Sequence, residues 1–476
     1  MIKFFLFVVP VFVLCSVAQP QFDGINERLQ QFCDPLNDGV PQRSTREAAR
    51  AYVTGRDLAA SNHHREAISY YLQAAELDGT APAPWAAMAE SLDQLERPEA
   101  AFKAWSETLK RDPKNAKALF VVGLDCAMNG AFETAVNLLS CLRLQGVKNT
   151  PTNRLLLDVA LASSLDKTGY TELSELILSK ENEYIEASFT ELMHGNEPVW
   201  LSVLQQLIDV GAPRVALTMA SKAAPKLDKQ RQAAILSAMP IIETAAGGDG
   251  SVTLATYTLV GQNDLIPLRP KWFEPVPLSV ALSTAAQSMS EVGGLEGAIL
   301  LYKASIAFDD SDVVALNNLA WTLLQFEGIT PEAVSFAEKA YDLDSNASFI
   351  QDTLGYIKLL EGSSNEAIDL FIRALNNSNG DPQIMDHLGD AYWQSHQRRD
   401  AIEAWQRAYS TLRSPQYYQA IIEGYQSMIY SIWGVAIATP EALYDLEIGS
   451  IVRRLQEKLV AVQEGKDPFE PKNGAN

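Results

Sequence analysis

The residues best equipped for chemistry in this sequence are few and scattered. His387 stands beside Asp386 and three residues before Asp390, a carboxylate–histidine grouping of a type that binds metal ions. One histidine with two aspartates is a thin ligand set, and no metal is expected there. His63-His64 falls at a predicted turn between helices, where polar residues belong anyway. Asp166-Lys167-Thr168-Gly169 carries a phosphorylatable-aspartate pattern, but Tyr170 replaces the threonine that must follow it. Gly247-Gly248-Asp249-Gly250 is no G-x-G-x-x-G loop and follows no predicted strand, so it reads as a plain loop or hinge. There is no G-x-S-x-G elbow and no cysteine–histidine nucleophile pair. Paired acids occur throughout, but an acidic helical chain offers many by chance, so they carry no acid–base argument. No catalytic residue, cofactor or metal is assigned, and the chain is expected not to be an enzyme.

Composition narrows the partners. Of 476 residues, 47% are hydrophobic and 20% charged, the balance of a folded soluble protein. A net charge of −21 disfavours nucleic acid and anionic membrane surfaces, both of which select basic proteins. Lys3 precedes an uncharged apolar run, Phe4 to Cys15, and then Ser16-Val17-Ala18, a cleavable secretory signal with the mature chain starting near Gln19. The run is short for a membrane span and is interrupted by Pro10. Export to a periplasmic or extracellular space is therefore expected, with an N-terminal membrane anchor as the alternative. Cys33, Cys126 and Cys141 remain after cleavage, too sparse a set for a disulfide framework. Cys126 and Cys141 read as packed small hydrophobes, with a single bridge left open.

The elements that would position these residues repeat. Ala67, Ala101 and Ala135 are spaced 34 apart, as are Gly55, Ala89 and Gly123, and Tyr71, Trp105 and Leu139. Downstream, Ala333, Ala367 and Ala401 keep the step of 34, with Gly355 and Gly389, Phe371 and Trp405, and Ala374 and Ala408 in the same register. Within one unit, Leu119, Val122, Gly123 and Cys126 form an apolar stripe at helical spacing. Asn129-Gly130 ends that helix, and Ala135, Leu138, Leu139 and Leu142 form a second stripe. A glycine in mid-helix costs about 1 kcal/mol relative to alanine. Small residues recurring there imply a close approach of the two helices. Each unit is a helix–turn–helix that cannot bury its stripes alone, so neighbours must stack.

These units resemble tetratricopeptide repeats. Trp85, Met88, Ala89, Leu92, Ala101, Trp105 and Pro113 follow the family signature, as do Leu354, Gly355, Ala367, Phe371 and Ala374, and Leu388, Gly389, Tyr392, Ala401, Trp405 and Ala408. Lys358 departs from it, and the unit from Val313 carries one extra turn residue near Gly328. Leu316 to Trp321 and Asp386 to Asp390 resemble the repeats of bacterial envelope proteins. The resemblance implies an all-α fold, with helix–turn–helix units stacked in a right-handed superhelical solenoid. The chain then divides into a signal peptide (1–18), a lead-in (19–45), three units (46–148), an irregular helical region with degenerate repeats (149–278), four units (279–411), capping helices (412–463) and a disordered tail (464–476).

Tetratricopeptide arrays bind extended peptides or partner helices on a concave face lined by the first helix of each unit. The period places that face here. Asn317, Asp352 and Asp386 follow one another at steps of 35 and 34, beside a column of Trp321, Tyr356 and Asp390, with Trp393 at the end. Such columns suit backbone N–H groups, lysine or arginine side chains and cation–π contacts. The alternative is that Trp321 and Tyr356 pack between repeats and that Asp352 bonds across a repeat junction. A Lys/Asn/Arg clamp for a C-terminal carboxylate is missing, since only scattered basics such as Arg56 and Lys117 fall nearby. The expected function is a non-catalytic scaffold that binds a basic or extended partner polypeptide in an envelope, secretion or polysaccharide complex. The alternatives are a self-assembling structural protein, or an enzyme's regulatory subunit with a site in 149–278.

Overall fold

The computed structural model describes residues 28–32, 45–95, 97–146, 150–179, 185, 187–188, 190–192, 199–261, 276–378, 380–417, 419 and 448–469. The signal peptide, Cys33, most of the proline-rich stretch 267–277, most of the apolar stretch 417–437 and residues 470–476 of the tail lie outside them. Among the described residues the chain is helical in tandem, with no strand. It forms two compact units, Lys3 to Ala223 and Ala224 to Asn476.

In the first unit, α1 (Arg46–Ala60) pairs with α2 (His64–Leu77), α3 (Pro82–Gln94) with α4 (Pro98–Arg111), and α5 (Ala116–Met128) with α6 (Phe132–Leu144). Then α7 (Pro151–Lys167) pairs with α8 (Thr171–Leu178), and α9 (Val199–Asp209) with α10 (Pro213–Ala223). In the second unit, α11 (Lys229–Ala245) and α12 (Ser251–Gly261) precede four hairpins. These are α13 (Leu278–Glu291) with α14 (Leu295–Phe308), α15 (Val313–Glu327) with α16 (Pro331–Leu343), α17 (Ser348–Leu360) with α18 (Ser364–Asn377), and α19 (Pro382–Gln394) with α20 (Arg398–Leu412). The last described helix is α21 (Gly449–Gln463), which packs against α20.

Local chemistry sets the helix ends. Thr45, Asn115, Thr150, Asp312, Thr330 and Asp381 each accept a backbone N–H of the first turn, the standard N-cap bond. Turns inside the hairpins pivot on a left-handed residue. Gly328, Gly362 and His396 supply it at successive steps of 34, with φ of 78°, 84° and 64°. His396 accepts there a conformation that glycine adopts more easily.

The hairpins close on one recurrent contact. A Cβ added to Gly55 would lie 2.6 Å from the Tyr71 ring, one on Gly123 2.5 Å from Leu139, one on Gly355 2.8 Å from the Phe371 ring, and one on Gly389 2.4 Å from the Trp405 indole. The first helix thus offers bare backbone to a large side chain sixteen positions on, and Tyr71, Leu139, Phe371 and Trp405 are fully buried. This is the close approach that the small residues imply.

The motif fragments have structural places. Asp166 to Gly169 is the end of α7 and the turn after it, where Thr168 donates to the Ser164 carbonyl and Thr171 donates to Asp166. The Gly247–Gly250 loop is open at Gly247 and tight at Gly250, where a Cβ would lie 2.9 Å from Gly297 Cα. Beside it, the buried Glu243 carboxylate accepts the backbone N–H groups of Val252 (3.1 Å) and Thr253 (2.7 Å), holding the positive end of α12. His64 approaches the Ser91 hydroxyl at 3.4 Å. The cysteines correct one expectation. Cys126 is a free, half-buried thiol whose pKa burial pushes up, but Cys141 is disulfide-bonded, with its partner outside the described residues. A lone bridge was legible only as an open option, because nothing local in the sequence marks one cysteine's distant partner.

Candidate functional site

Helices α15, α17 and α19 are the first helices of three successive hairpins, and the residues picked out by the period lie along them. Between them opens a cavity of about 220 Å³. Asn317 and Trp321 line it from α15, Phe349 and Asp352 from α17, and Asp381 and Ile384 from the start of α19. Asn317 is only 5% exposed, and its Nδ2 donates to Asn318 at 3.3 Å. Its Oδ1 is buried without a hydrogen-bond partner. A buried carbonyl left unpaired costs about 1–3 kcal/mol, and a donor from the cavity would relieve that cost once the Asn317 amide turns toward it. Phe349 stands on the rim with 41% of its surface exposed.

Below the cavity the aromatic column is continuous but shared with the core. Trp321 meets Tyr356 edge-on at 5.3 Å, and Tyr356 lies 4.9 Å from His387 with the rings tilted by 42°. The Phe371 ring centre lies 5.8 Å from that of His387. Asp352 bonds across the repeat junction to His387 Nδ1 at 2.9 Å. Asp352, Trp321 and Tyr356 therefore serve packing, while Trp321 and Asp352 also line the cavity. Among the described residues, no group of three histidines, cysteines or acids comes together as metal ligands.

Burial lowers the His387 pKa, but the charge and hydrogen bond of Asp352, with the charges of Asp386 and Asp390, outweigh it and raise the value. A histidine whose folded value is raised contributes stability that is complete below its unfolded value, about 6.5. That contribution is lost as pH rises through the folded value. Thermal melts between pH 6 and pH 9 are expected to show a loss of stability that is smaller in His387→Gln. An equal loss in both proteins would contradict the assignment.

The third station of the face is closed. Asp386 is 0% exposed, and Lys458 of α21 donates to it at 2.7 Å and to Asp390 at 2.5 Å. Arg454 adds bonds to Asp386 Oδ2 from Nε at 2.9 Å and Nη2 at 2.7 Å. Burial is the largest influence on both carboxyls and pushes them up. At Asp386 the cations outweigh it and hold the pKa below the usual range, whereas Asp390 stays above it, with the neighbouring Asp386 charge adding to burial. Trp405 Nε1 also donates to Asp390, at 2.9 Å. Trp393 is covered by the Arg398 guanidinium 3.5 Å from its ring centre, and its Nε1 donates to Asp467 at 3.2 Å. Of the residues read from the period, Asn317, Trp321 and Asp352 share the open cavity. Tyr356 lies under it, and Asp386, Asp390 and Trp393 meet the chain's own C-terminal segment.

Lys458 and Arg454 were missed as site residues. The one signal in the sequence was two basic residues a turn apart on an amphipathic helix whose apolar side includes Ile451, Leu455 and Leu459.

No protein-family model matches the chain, and no curated protein matches it. Among solved structures it is similar to yeast Tom70, with 13% identity, 88% of this chain and 98% of that one covered, and a TM-score of 0.30. It is similar to MamA with 22% identity, 38% and 96% covered, and a TM-score of 0.24. It is similar to the TPR domain of P58(IPK) with 12% identity, 82% and 99% covered, and a TM-score of 0.22.

Proposed function

We propose that this chain is a non-catalytic scaffold that takes a protein partner on the face built by α15, α17 and α19. The observation that carries this reading is the open cavity across three successive first helices, with the unpaired Asn317 Oδ1 buried in its wall. The partner's segment there is extended, since an extended chain offers the free backbone N–H that Asn317 lacks and a helix interior does not. Asp352 and Asp381 beside Trp321 and Phe349 favour a segment carrying a basic and an apolar side chain. The site of action is an oxidising, extracytoplasmic compartment. The leader-like residues 1–18 and the disulfide at Cys141 support that placement, because such bonds persist outside reducing cytosol. An envelope or secretion assembly is the setting that this combination fits.

Affinity capture from extracts of the producing cells tests the reading, with Phe349→Glu and Asn317→Ala beside the wild type. Phe349 is a rim residue, so its replacement spares the fold. Each variant is expected to weaken capture of one specific protein by at least tenfold, with binding that weakens as salt rises. Unchanged capture by both variants would sink the proposal.

A further inference from the structure

The three stations of the face are built alike but occupied differently. Asn317, Asp352 and Asp386 are successive equivalents, as are Trp321, Tyr356 and Asp390. The cavity spans the upstream stations, and α21 lies on the last one. What α21 presents there is specific: Arg454 and Lys458, one helical turn apart, on the carboxylates of Asp386 and Asp390. Beside them Leu455, with Ile451 and Leu459, packs among Met385, Trp405 and Leu412.

The hold is narrow. Of the fifteen residues of α21, only Leu455 and Lys458 are buried. Ile451, Val452, Leu459 and Val462 are only partly buried against the same cluster, so the attachment is shared between a few apolar side chains and the ion pairs of Arg454 and Lys458. Buried ion pairs gain little net free energy once desolvation is counted, because water competes for both charges whenever the helix lifts. The glycine-closed hairpins beneath it, by contrast, are held by fully buried aromatic side chains. A helix attached this way can leave while α19 and α20 stay folded.

We infer that the Asp386–Asp390 station is a binding site for a basic amphipathic helix, held at rest by α21 and taken by a partner helix that bears two basic residues one turn apart. The inference rests on the reading that this face binds a protein partner, and it adds a second segment of different form. The extended segment enters the cavity at Asn317, and the helix replaces α21 downstream. In the resting chain α21 is thus an internal competitor that sets a threshold for binding.

The test uses the full-length chain and a fluorescent peptide copying residues 448–466. Arg454→Ala/Lys458→Ala in the chain frees the station. The peptide is expected to bind this variant at least tenfold more tightly than the wild type, and a peptide lacking both basic residues is expected not to bind. Hydrogen exchange on the wild type supplies the arm that needs no variant. Amides of α21 should exchange at least tenfold faster than those of α19 and α20, and faster still in high salt. Failure of the peptide to bind a folded variant, or a common exchange rate for α19, α20 and α21, would make α21 a permanent cap and overturn the inference. Phe349→Glu separates the two readings. It should leave peptide binding unchanged, so peptide binding together with partner capture indifferent to both Phe349→Glu and Asn317→Ala would sink the scaffold reading of the cavity alone.

Discussion

Replacing Gly389 with leucine is expected to destabilise the second unit by more than about 3 kcal/mol, at or beyond the upper end of the usual overpacking range. The Trp405 indole occupies the space a side chain would need, with its Cδ1 and Nε1 2.4 Å from the position of a Cβ. It cannot swing aside. It is fully buried, and its Nε1 donates both to the Asp386 carbonyl (3.3 Å) and to Asp390 (2.9 Å). Even Gly389→Ala should lose stability, since the ~1 kcal/mol of helix propensity gained is smaller than the cost of moving a hydrogen-bonded indole. Gly79 serves as control, because nothing lies within 4 Å of a Cβ there. Gly79→Ala is expected to be neutral within about 0.5 kcal/mol, like other surface changes. Thermal unfolding followed by circular dichroism checks the series. For a unit of this size ~1 kcal/mol corresponds to roughly 2–4 °C, so Gly389→Leu should melt at least about 6 °C lower.

The second large effect concerns Lys458→Ala. Among the described residues the lysine is the one cation that touches both Asp386 and Asp390. With its ammonium gone and α21 still in place, two neighbouring carboxylates would remain buried, Asp386 with the half-exposed Arg454 and Asp390 with the neutral Trp405 Nε1–H. Breaking a buried pair from one side costs about 3–5 kcal/mol. That cost falls on a helix whose apolar hold is the fully buried Leu455, worth about 1.5–3 kcal/mol, with the partly buried Ile451, Val452, Leu459 and Val462 beside it. The loss is comparable with that hold, so α21 should open far more often and let water reach both carboxylates. The expected readout is a change in tryptophan fluorescence, since Trp393 and Trp405 sit 5.5 Å apart beside α21. Loss of exchange protection should be confined to 449–463 while α19 and α20 keep theirs. Protection lost from all three helices together would mean that α21 is integral to the last hairpin.

These two cases also mark how far the sequence could be read. The glycine–aromatic contact was legible because both partners lie within one repeat and recur at the same step. Gly389 and Trp405 could be placed by analogy with Gly55 and Tyr71. The first-helix face followed from the same period, and Asn317, Trp321 and Asp352 do share one cavity. The bond between His387 and Asp352 spans one repeat, so a bond from Asp352 across the repeat junction was legible as an alternative, while its partner His387 was not. The seat of α21 was not legible at all. Lys458 meets Asp386 across 72 residues, with an aperiodic stretch between, and no local pattern tells a basic helix which acids it will find. The buried ion cluster in which Asp158 accepts from Arg143 and Arg154 is hidden for a related reason. Arg143 comes from α6, and its charge looks like ordinary helix surface until the neighbouring helix covers it.

The most direct test of the scaffold reading is site-specific photo-crosslinking in the producing cells. A photoreactive side chain replaces Phe349 at the cavity rim in one protein. In a second it replaces Ile372, which is comparably exposed at 40% on α18, away from the first-helix face. A discrete protein adduct is expected from position 349 and not from position 372. Adducts of equal yield at both positions, or an adduct from 372 alone, would contradict the scaffold reading.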